Sequence, residues 1–294
     1  MIQLLTRATP VIVQGITGRM GRSHAALMAA YGTNIVGGTS TRTDIAEAAG
    51  VPVFADCAEA VLATGAVASV VMAPPEDTLA AVQQALAAGI KLIVTVAEGV
   101  PLHDAIKIGR AVRRAGAIWV GPSTPGLAIP GQCKLGFLPD VCLRPGPLAI
   151  MSKSGTLSYE VGYRLARERL GQSIWVGVGG DSVKGIRFAD LLPVFCDDKR
   201  TKGIILIGEV GGTEEEECAE AYARLAYRKP LFAIIAGREA KEGVSMGHAG
   251  ALVHGDFGTL ASKTKRLTEA GAKVFPSIAA LVDHCNRYFR FDKS

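Results

Sequence analysis

Residues 11–32 read VIVQGITGRMGRSHAALMAAYG, and this stretch predicts the fold of the amino-terminal half. Val11–Gln14 has the composition of a short buried strand, and the residues after the turn have a helical composition that ends at Gly32. Three glycines separate the strand from the helix: Gly15, Gly18 and Gly21. They allow a tight turn and close helix packing, and the helix amino terminus offers N–H groups to a phosphate. This order is typical of a nucleotide-binding α/β domain.

The alternation of strand and helix continues outward from this unit. Strand patterns at VPVF, ASVVMA and KLIVTVAEG are followed by helical patterns over 57–64, 77–88 and 102–115. A passage rich in Pro and Gly then breaks the periodicity, and the alternation starts again at PLAIM, residues 147–151. Repeated βαβ crossovers predict parallel sheets, so we expect two doubly wound α/β domains. The predicted boundaries are 1–125 and 147–294, with 126–146 as a linker.

The composition supports this class and argues against several others. Of 294 residues, 49% are hydrophobic, 20% charged and 6% aromatic, with 35 glycines. The net charge of +5 is dispersed rather than gathered with aromatics, so neither nucleic acid nor a membrane is expected as a partner. The six cysteines show no CxxC spacing, which predicts no metal site in this chain and reduced thiols. Without a signal peptide or an apolar run of about 18 residues, the expected location is the cytoplasm. The mitochondrial matrix is the alternative, if a transit peptide has been removed.

The loop after the second predicted strand carries a cation where an acid would bind a free ribose. A dinucleotide site for NAD usually has Asp or Glu there, whereas this strand, predicted over 34–36, continues as GGTSTRT. Ser40 and Arg42 offer a donor and a positive charge instead. The sequence therefore predicts that Arg42 binds a phosphorylated ribose.

Three groups of polar residues follow predicted strands in the second half. Ser154, Gly155 and Thr156 begin a helix and form a candidate phosphate site. Glu209 ends the strand of IGEVGG, and His248 lies in SMGHAGA, residues 245–251, where the neighbours are too small to crowd it. Because loops after parallel strands meet at one edge, we expect Glu209 and His248 to share a crevice. The four glutamates at 214–217 are predicted to be a solvated helix start.

Several motifs, in order, give the chain a family resemblance. It resembles the α subunit of succinyl-CoA synthetase (succinate–CoA ligase) over nearly its whole length. The shared motifs are QGITG, AYGTNIVGG, AGIKLIVTVAEGVP, SKSGTLSYE, GQSIWVGVGGD, IGEVGG and MGHAGA. The resemblance implies a Rossmann-like CoA-binding domain followed by a flavodoxin-like ligase domain. It also implies a reversible acid–CoA ligase reaction through acyl-phosphate and phosphohistidine intermediates.

The resemblance assigns roles to particular residues. His248 corresponds to the histidine that is phosphorylated on Nε2, and Glu209 to the carboxylate that holds its other ring nitrogen. Tyr159 falls on a substrate position. Seven residues fall on the loops that bind CoA: Thr17, Gly18, Arg19, Met20, Val96, Ala97 and Glu98. No P-loop lysine motif occurs, so a β subunit with a nucleotide-grasp domain is expected to hold ATP or GTP with Mg²⁺, in an αβ or α₂β₂ assembly.

Two departures from the family pattern leave the acid open. The chain reads TSTRTD where the family usually has a glycine-lysine-glycine-glycine loop, and Arg42 stands one residue before the lysine position. It reads GPSTPG, residues 121–126, where the family usually has Gly-Pro-Asn-Cys-Pro-Gly. Succinate is the expected acid, and related ligases act on malate or citrate. An NAD(P)-dependent reductase, which shares a turn like GITGRMGR, is the alternative from another class.

Overall fold

A computed structural model describes residues 1–42, 44–237 and 258–290. Its contacts divide the chain into two compact units. Unit 1 holds residues 1–138 and 183–186, and unit 2 holds residues 139–182 and the chain from 187 onward. The predicted boundaries at 125 and 147 stay a prediction, since these units follow contacts rather than sequence patterns.

Unit 1 contains a mostly parallel sheet with helices between its strands. The strands are β1 (Val11–Gln14), β2 (Ile35–Thr39), β3 (Glu47–Ala48), β4 (Val51–Phe54), β5 (Ala68–Val71), β6 (Leu92–Thr95) and β7 (Ile118–Val120). The helices are α1 (Arg19–Tyr31), α2 (Cys57–Thr64), α3 (Thr78–Ala87) and α4 (Leu102–Ala115). Within the described part of this sheet the strand order is β3-β4-β2-β1-β5-β6-β7, and only its β3–β4 pair is antiparallel.

This order confirms the Rossmann-like prediction. Without the short edge strand β3, it is the Rossmann arrangement, in which the chain reverses direction across the sheet next to the first strand. That reversal lies between β1 and β5, and ligands bind in the crevice that it leaves at the carboxyl ends of the strands. Strands β1, β5 and β6 are buried at every position, as the apolar runs in the sequence predict.

The passage from 126 to 146, predicted as a linker, is not irregular. It contains two antiparallel strands, β8 (Gly126–Ile129) and β9 (Cys133–Gly136). A Cβ on Gly126 would overlap the Leu135 carbonyl oxygen, so its glycine permits close strand approach rather than flexibility. The hairpin is fastened to α1, because Lys134 N donates to Thr33 Oγ1 at 3.0 Å and Gly131 N to the Tyr31 hydroxyl at 3.0 Å.

Unit 2 repeats the α/β pattern with a different strand order. Its strands are β10 (Pro145–Ser152), β11 (Gln172–Gly177), β12 (Gly203–Glu209), β13 (Leu231–Ala236) and β14 (Lys273–Phe275). Its helices are α5 (Gly155–Arg167), α6 (Phe188–Asp197), α7 (Glu214–Arg224), α8 (Leu260–Glu269) and α9 (Ile278–Arg290).

The strands of unit 2 confirm the flavodoxin-like prediction. They run parallel in the order β11-β10-β12-β13-β14, which is the flavodoxin-like order. The reversal in this sheet lies between β10 and β12; Ser154 follows β10, and Glu209 is the last residue of β12. None of the helices in the described ranges has the length and apolarity needed to cross a bilayer.

Candidate active site

The turn after β1 has the shape that the glycine spacing predicts. Gly15 has φ +77°, a conformation that side chains disfavour. A Cβ on Gly21 would overlap the Gly15 carbonyl oxygen, so glycine there lets α1 begin directly against the turn. A Cβ on Gly38 in β2 would lie 2.5 Å from the Ile16 side chain, which is fully buried. Gly18 caps α1 without a side-chain bond, which leaves the first amides of the helix to a ligand.

A cavity of about 480 Å³, which we call the arginine cavity, opens beside this turn. Thr17, Arg19, Arg22, Ser23 and Arg42 line it. The structure therefore brings together three of the predicted CoA residues from two loops: Thr17, Arg19 and Arg42. Arg22 and Ser23 were not predicted to line this site, although the spacing of Arg22 from Arg19 could have indicated it. Arg22 follows Arg19 by three residues, and residues three apart on a helix share a face.

Hydrogen bonds tie the loop after β2 to the turn after β1. The hydroxyls of Thr17 and Ser40 are 2.6 Å apart, and Ser40 Oγ accepts from the Arg42 backbone at 3.0 Å. The Arg42 guanidinium forms an exposed ion pair with Asp44, donating from Nε at 3.4 Å and from Nη2 at 3.1 Å. The hydrogen bond from Arg42 lowers the pKa of Asp44. A phosphate at this place would compete with Asp44 for the same donors.

The other predicted CoA loop follows β6, two strands away from β1. Val96 and Ala97 are half-buried and Glu98 is exposed, while Met20 is about half exposed at the start of α1. The Ala97 carbonyl accepts from Ser123 N at 2.8 Å, so the VAEG loop is joined to GPSTPG. All these loops leave the carboxyl edge of one sheet, but Val96, Ala97 and Glu98 do not line the arginine cavity.

In unit 2 the predicted phosphate residues form a capped helix start. Ser154 is the N-cap of α5, and its Oγ accepts from Leu157 N at 3.3 Å. Ser152 Oγ donates to the Ser154 carbonyl at 2.7 Å and accepts from its amide at 3.1 Å. Gly155 and Thr156 are the first two residues of the helix. The amides of a helix's first turn have no intrahelical partner, so they can bind an anion.

Glu209 lies at the end of β12, next to both ends of the undescribed stretch 238–257. Its side chain is 7% exposed, and it is paired in register with Ala236 at the end of β13. The chain leaves β13 through Gly237, where a Cβ would lie 2.5 Å from Val210, and it returns at Gly258, whose carbonyl accepts from Gly211 N at 2.8 Å. His248 itself lies outside the described residues.

The glutamates that begin α7 differ from the prediction. They were expected to be solvated, but Glu214 and Glu215 are buried, at 4% and 0% exposure. Glu215 binds two lysines: Lys153 Nζ is 3.0 Å from its Oε1, and Lys263 Nζ contacts its Oε2. The helix dipole alone cannot explain charges that are withdrawn from water, so the prediction was wrong for these two residues.

The sequence positions of both lysines give a weak indication that their side chains are buried. Lys153 directly follows the buried strand PLAIMS, and Lys263 stands four residues before the buried Leu267 on the apolar side of α8. A lysine at such positions has to find a buried partner.

Tyr159 lies on α5 in the packing between the helix and β11. Its ring centroid is 6.4 Å from that of Trp175, and burial, with the charge of Cys142, raises the pKa of its hydroxyl. The substrate role of Tyr159 stays a prediction.

Comparison with known families agrees with the two units. The sequence model of the CoA binding domain family matches residues 6–99, and that of the CoA-ligase family matches residues 151–273. The glycine turn with its arginine cavity lies in the first match, and Glu209 with the capped start of α5 lies in the second. The fold and the site thus define a CoA ligase chain.

Full-length relatives define the family more closely. The chain is 44% identical over 274 residues to succinate–CoA ligase [ADP-forming] subunit alpha 2 of Archaeoglobus fulgidus, covering 93% of this chain and 95% of the relative. It is 42% identical to the corresponding α subunit of Aquifex aeolicus, covering 96% and 92%. It is also 42% identical to the ADP-forming sulfoacetate-CoA ligase subunit SauD of Bilophila wadsworthia, covering 90% and 91%. The chain belongs to the family of succinate–CoA ligase α subunits.

A solved structure with the same fold comes from a more distant protein. ATP citrate lyase from Methanothrix soehngenii, in complex with citrate and coenzyme A, superposes with a TM-score of 0.86 at 23% identity. The match covers 98% of this chain and 50% of that one, and it shows the fold alone. Membership of the ligase family favours the ligase interpretation over the reductase interpretation.

Proposed function

We propose that this chain is the α subunit of a succinate–CoA ligase that forms a nucleoside diphosphate, in which His248 carries the phosphoryl group between two half-reactions. Unit 1 would bind CoA, and unit 2 would hold the histidine and the carboxylate that orients it. A β subunit would supply the nucleotide-grasp domain, with ATP or GTP and Mg²⁺, in an αβ or α₂β₂ assembly. A cytoplasmic or mitochondrial-matrix location belongs to the same proposal.

The observation that carries the proposal is the position of Glu209. It is buried at the sheet reversal between β10 and β12, beside the capped start of α5. The segment that contains His248 leaves and rejoins the described chain at Gly237 and Gly258, and both contact the residues that follow Glu209. A carboxylate there can accept a hydrogen bond from the Nδ1–H of an imidazole. This fixes the tautomer in which Nε2 is unprotonated and nucleophilic.

The proposed reaction has three steps, each with a defined leaving group. Inorganic phosphate attacks the thioester carbonyl of acyl-CoA, the bond to sulfur breaks, and the CoA thiolate leaves. Nε2 of His248 then attacks the phosphorus of the acyl phosphate, and the carboxylate leaves with the bonding electrons. The phosphoryl group finally passes to a nucleoside diphosphate, which restores the neutral imidazole. Phosphoryl transfer needs mainly alignment and neutralisation of oxygen charge, which the α5 amino terminus at Ser154, Gly155 and Thr156 can contribute.

The arginine cavity is the proposed site for the ribose phosphate of CoA. Arg42 would exchange Asp44 for the phosphate, and Thr17 and the first amides of α1 would bind nearby phosphate oxygens. Val96, Ala97 and Glu98 lie on the loop after β6, two strands away at the same edge, and would bind another part of the CoA molecule.

The acid is proposed to be succinate, with sulfoacetate as the second candidate. The relatives named for these two acids are 44% and 42% identical to this chain, so identity alone does not separate them. Both acids carry two negative charges separated by a short carbon chain. Malate and citrate remain further alternatives, because Ser123 and Thr124 replace the usual Asn-Cys pair of the GPSTPG loop.

The test is an assay of the complex purified after co-expression with the β subunit. Thioester formation is measured with CoA and ATP or GTP against succinate, sulfoacetate, malate and citrate. We expect the highest kcat/KM with succinate. A higher value with another acid would replace succinate but leave the ligase mechanism intact. Absence of thioester with every acid, in a complex that binds CoA, would contradict the proposed function.

A further inference from the structure

A buried cluster of charges adjoins Glu209 and the start of α5, two parts of the proposed phosphotransfer site. We define the Glu215 cluster as Lys153, Glu215 and Lys263, which are 6%, 0% and 0% exposed. Lys153 Nζ lies 3.0 Å from Glu215 Oε1 and 3.2 Å from Oε2, and Lys263 Nζ contacts Oε2. Two further glutamates border the cluster: Glu214 is 3.7 Å from Lys153, and Glu216 is 3.1 Å from Lys263.

Lys153 and Glu215 each favour the charged form of the other. Burial alone would raise the pKa of Glu215, but the ammonium groups of Lys153 and Lys263 lower it overall. Burial would likewise lower the pKa of Lys153, but the charges of Glu215, Glu214 and Glu209 raise it. Removing charges from water is costly, and buried ion pairs often stabilise a fold no better than apolar side chains of the same size. Stability is therefore a weak explanation for this cluster.

Two hydrogen bonds and one chain neighbour connect the cluster to three parts of the proposed site. Glu215 Oε1 accepts from the backbone N–H of Glu209 at 3.1 Å. Lys153 stands between Ser152 and the N-cap Ser154, so its ion pair fixes the start of α5. Lys263 Nζ donates to the Gly212 carbonyl at 3.0 Å, next to the Gly211 amide that binds Gly258.

The backbone of β12 is adapted to the cluster. A Cβ on Gly208 would lie 2.6 Å from Glu215 Oε1 and 2.7 Å from its Cγ. Glycine at this position thus lets the carboxylate reach the backbone immediately before Glu209. Lys153, whose pKa is raised in part by Glu209, brings positive charge within electrostatic range of that residue.

We propose that Glu215 is a positioning residue for phosphoryl transfer, and that the Glu215 cluster holds Glu209, the start of α5 and the Gly211–Gly212 turn in one fixed arrangement. This inference rests on the proposed role of Glu209. The carboxylate of Glu215 acts through the Glu209 backbone and through Lys153, and it does not contact the reacting atoms. Small displacements of aligned groups cost up to about 100-fold in rate, so losing the cluster should slow the transfer step.

The test uses the αβ complex with four variants: Glu215→Gln, Lys153→Met, Lys153→Arg and the control Glu220→Gln. Gln at 215 keeps an acceptor for the Glu209 amide but loses the charge that binds both lysines. Glu220 is an exposed glutamate on the same helix, outside the cluster. Single-turnover labelling of His248 by nucleoside triphosphate, KM for CoA and the thermal midpoint are measured for each complex.

We expect Glu215→Gln and Lys153→Met to slow labelling by ~10- to 100-fold while the KM for CoA changes less than about twofold, because CoA is proposed to bind unit 1. Lys153→Arg should recover most of the rate, since it restores the charge, and Glu220→Gln should match the wild type. Folded Glu215→Gln and Lys153→Met complexes that label at the wild-type rate would overturn the inference.

Other results would also distinguish a positioning role from a purely structural one. If Glu215→Gln does not fold, the two Lys153 variants give the answer, and equal rates for Arg and Met at 153 would contradict the positioning role. A uniform loss of active sites with an unchanged rate per site would mean a purely structural cluster. If the wild-type complex itself does not label, the proposed function fails, which is a separate result from unequal labelling among variants.

Discussion

Glu209 is a single carboxylate whose proposed work depends on its charge and its fixed place at the end of β12. Glu209→Gln keeps the size of the side chain but removes the charge that would support a developing imidazolium. We expect single-turnover phosphorylation to slow by ~10²-fold, with the thermal midpoint nearly unchanged. Rapid-quench labelling of the complex measures the rate, and Glu220→Gln serves as the control. An unchanged rate would remove Glu209 from the mechanism.

Replacing Arg42 tests the proposed site for the ribose phosphate of CoA. Arg42→Ala should weaken CoA binding by ~10- to 100-fold, the effect of losing a charge-assisted hydrogen bond, and should weaken dephospho-CoA much less. Calorimetry with both ligands separates the phosphate contact from general damage to the loop. Arg114→Ala, an exposed arginine in the last turn of α4, is the matched control. Equal losses for both ligands would mean that Arg42 does not bind the phosphate.

Replacing Asp44 should change the affinity for CoA in the opposite direction from replacing Arg42. Because it competes for the Arg42 guanidinium, Asp44→Asn should tighten CoA binding by a few-fold and leave dephospho-CoA nearly unchanged. The same calorimetric titrations measure this, and the gain should shrink at high salt, which screens exposed charges. Weaker CoA binding in Asp44→Asn would show that the ion pair holds the loop in its binding shape instead.

Some of the residues in these sites could be predicted from the sequence, and others could not. Glu209 was predicted because it ends a strand and Arg42 because it lies in the loop after one, and the carboxyl ends of parallel strands meet at one edge. Glu215 was misread because four glutamates at a helix start suit both a solvated terminus and a buried cluster. The deciding partners, Lys153 and Lys263, lie 62 and 48 residues away in the chain. Pairing over such separations is not visible in local composition.

At the scale of an element, the start of α1 depends on one glycine. Gly21→Ala would place a methyl group against the Gly15 carbonyl, so the helix or the turn must shift. We expect a loss of ~1–3 kcal/mol in the free energy of unfolding and weaker CoA binding. Gly109 in α4 is the control, because a Cβ there meets only ordinary contacts at 3.5 Å and 3.9 Å.

Gly109→Ala should therefore stabilise the protein by up to about 1 kcal/mol through helix propensity. Urea denaturation of both variants measures the two changes. A Gly21→Ala protein as stable as the wild type, with normal CoA affinity, would contradict the close packing of α1 on the turn.

Strands and helices with strong patterns were predictable, and the hairpin at 126–136 was not. The bounds of β1, β4, α2 and α4 match the predicted stretches because apolar runs, caps and terminal glycines agree there. Strands β8 and β9 lie in a passage whose Pro and Gly residues indicate a loop. In the structure Gly126 and Gly136, with φ +100° and +122°, let the two strands approach closely, which composition alone does not reveal.

At the scale of the whole molecule, all six cysteines are free and buried. Burial, with the charge of Asp56, raises the pKa of Cys57 to about 12, and burial raises that of Cys133 to about 11 and that of Cys285 to about 12. Because the thiolate is the reactive form, the native protein should be nearly inert to a thiol reagent at neutral pH.

Ellman's reagent checks this directly. We expect fewer than about one thiol per chain to react within minutes in the native protein, and all six after denaturation. Rapid reaction of several thiols in the native state would mean that one of the two cores is open. Cys218, which is fully buried and next to the charges of Glu215 and Glu214, should be among the last to react.

In the proposed mechanism His248 carries the phosphoryl group, and the β subunit is needed to place it there. The most direct measurement incubates the αβ complex, and the α chain alone, with nucleoside triphosphate labelled at the γ-phosphate, followed by mapping of the labelled peptide. We expect acid-labile, base-stable label on His248 in the complex only, with little label in His248→Asn and slow labelling in Glu209→Gln. Label on another residue, or equal labelling of the isolated α chain, would contradict it.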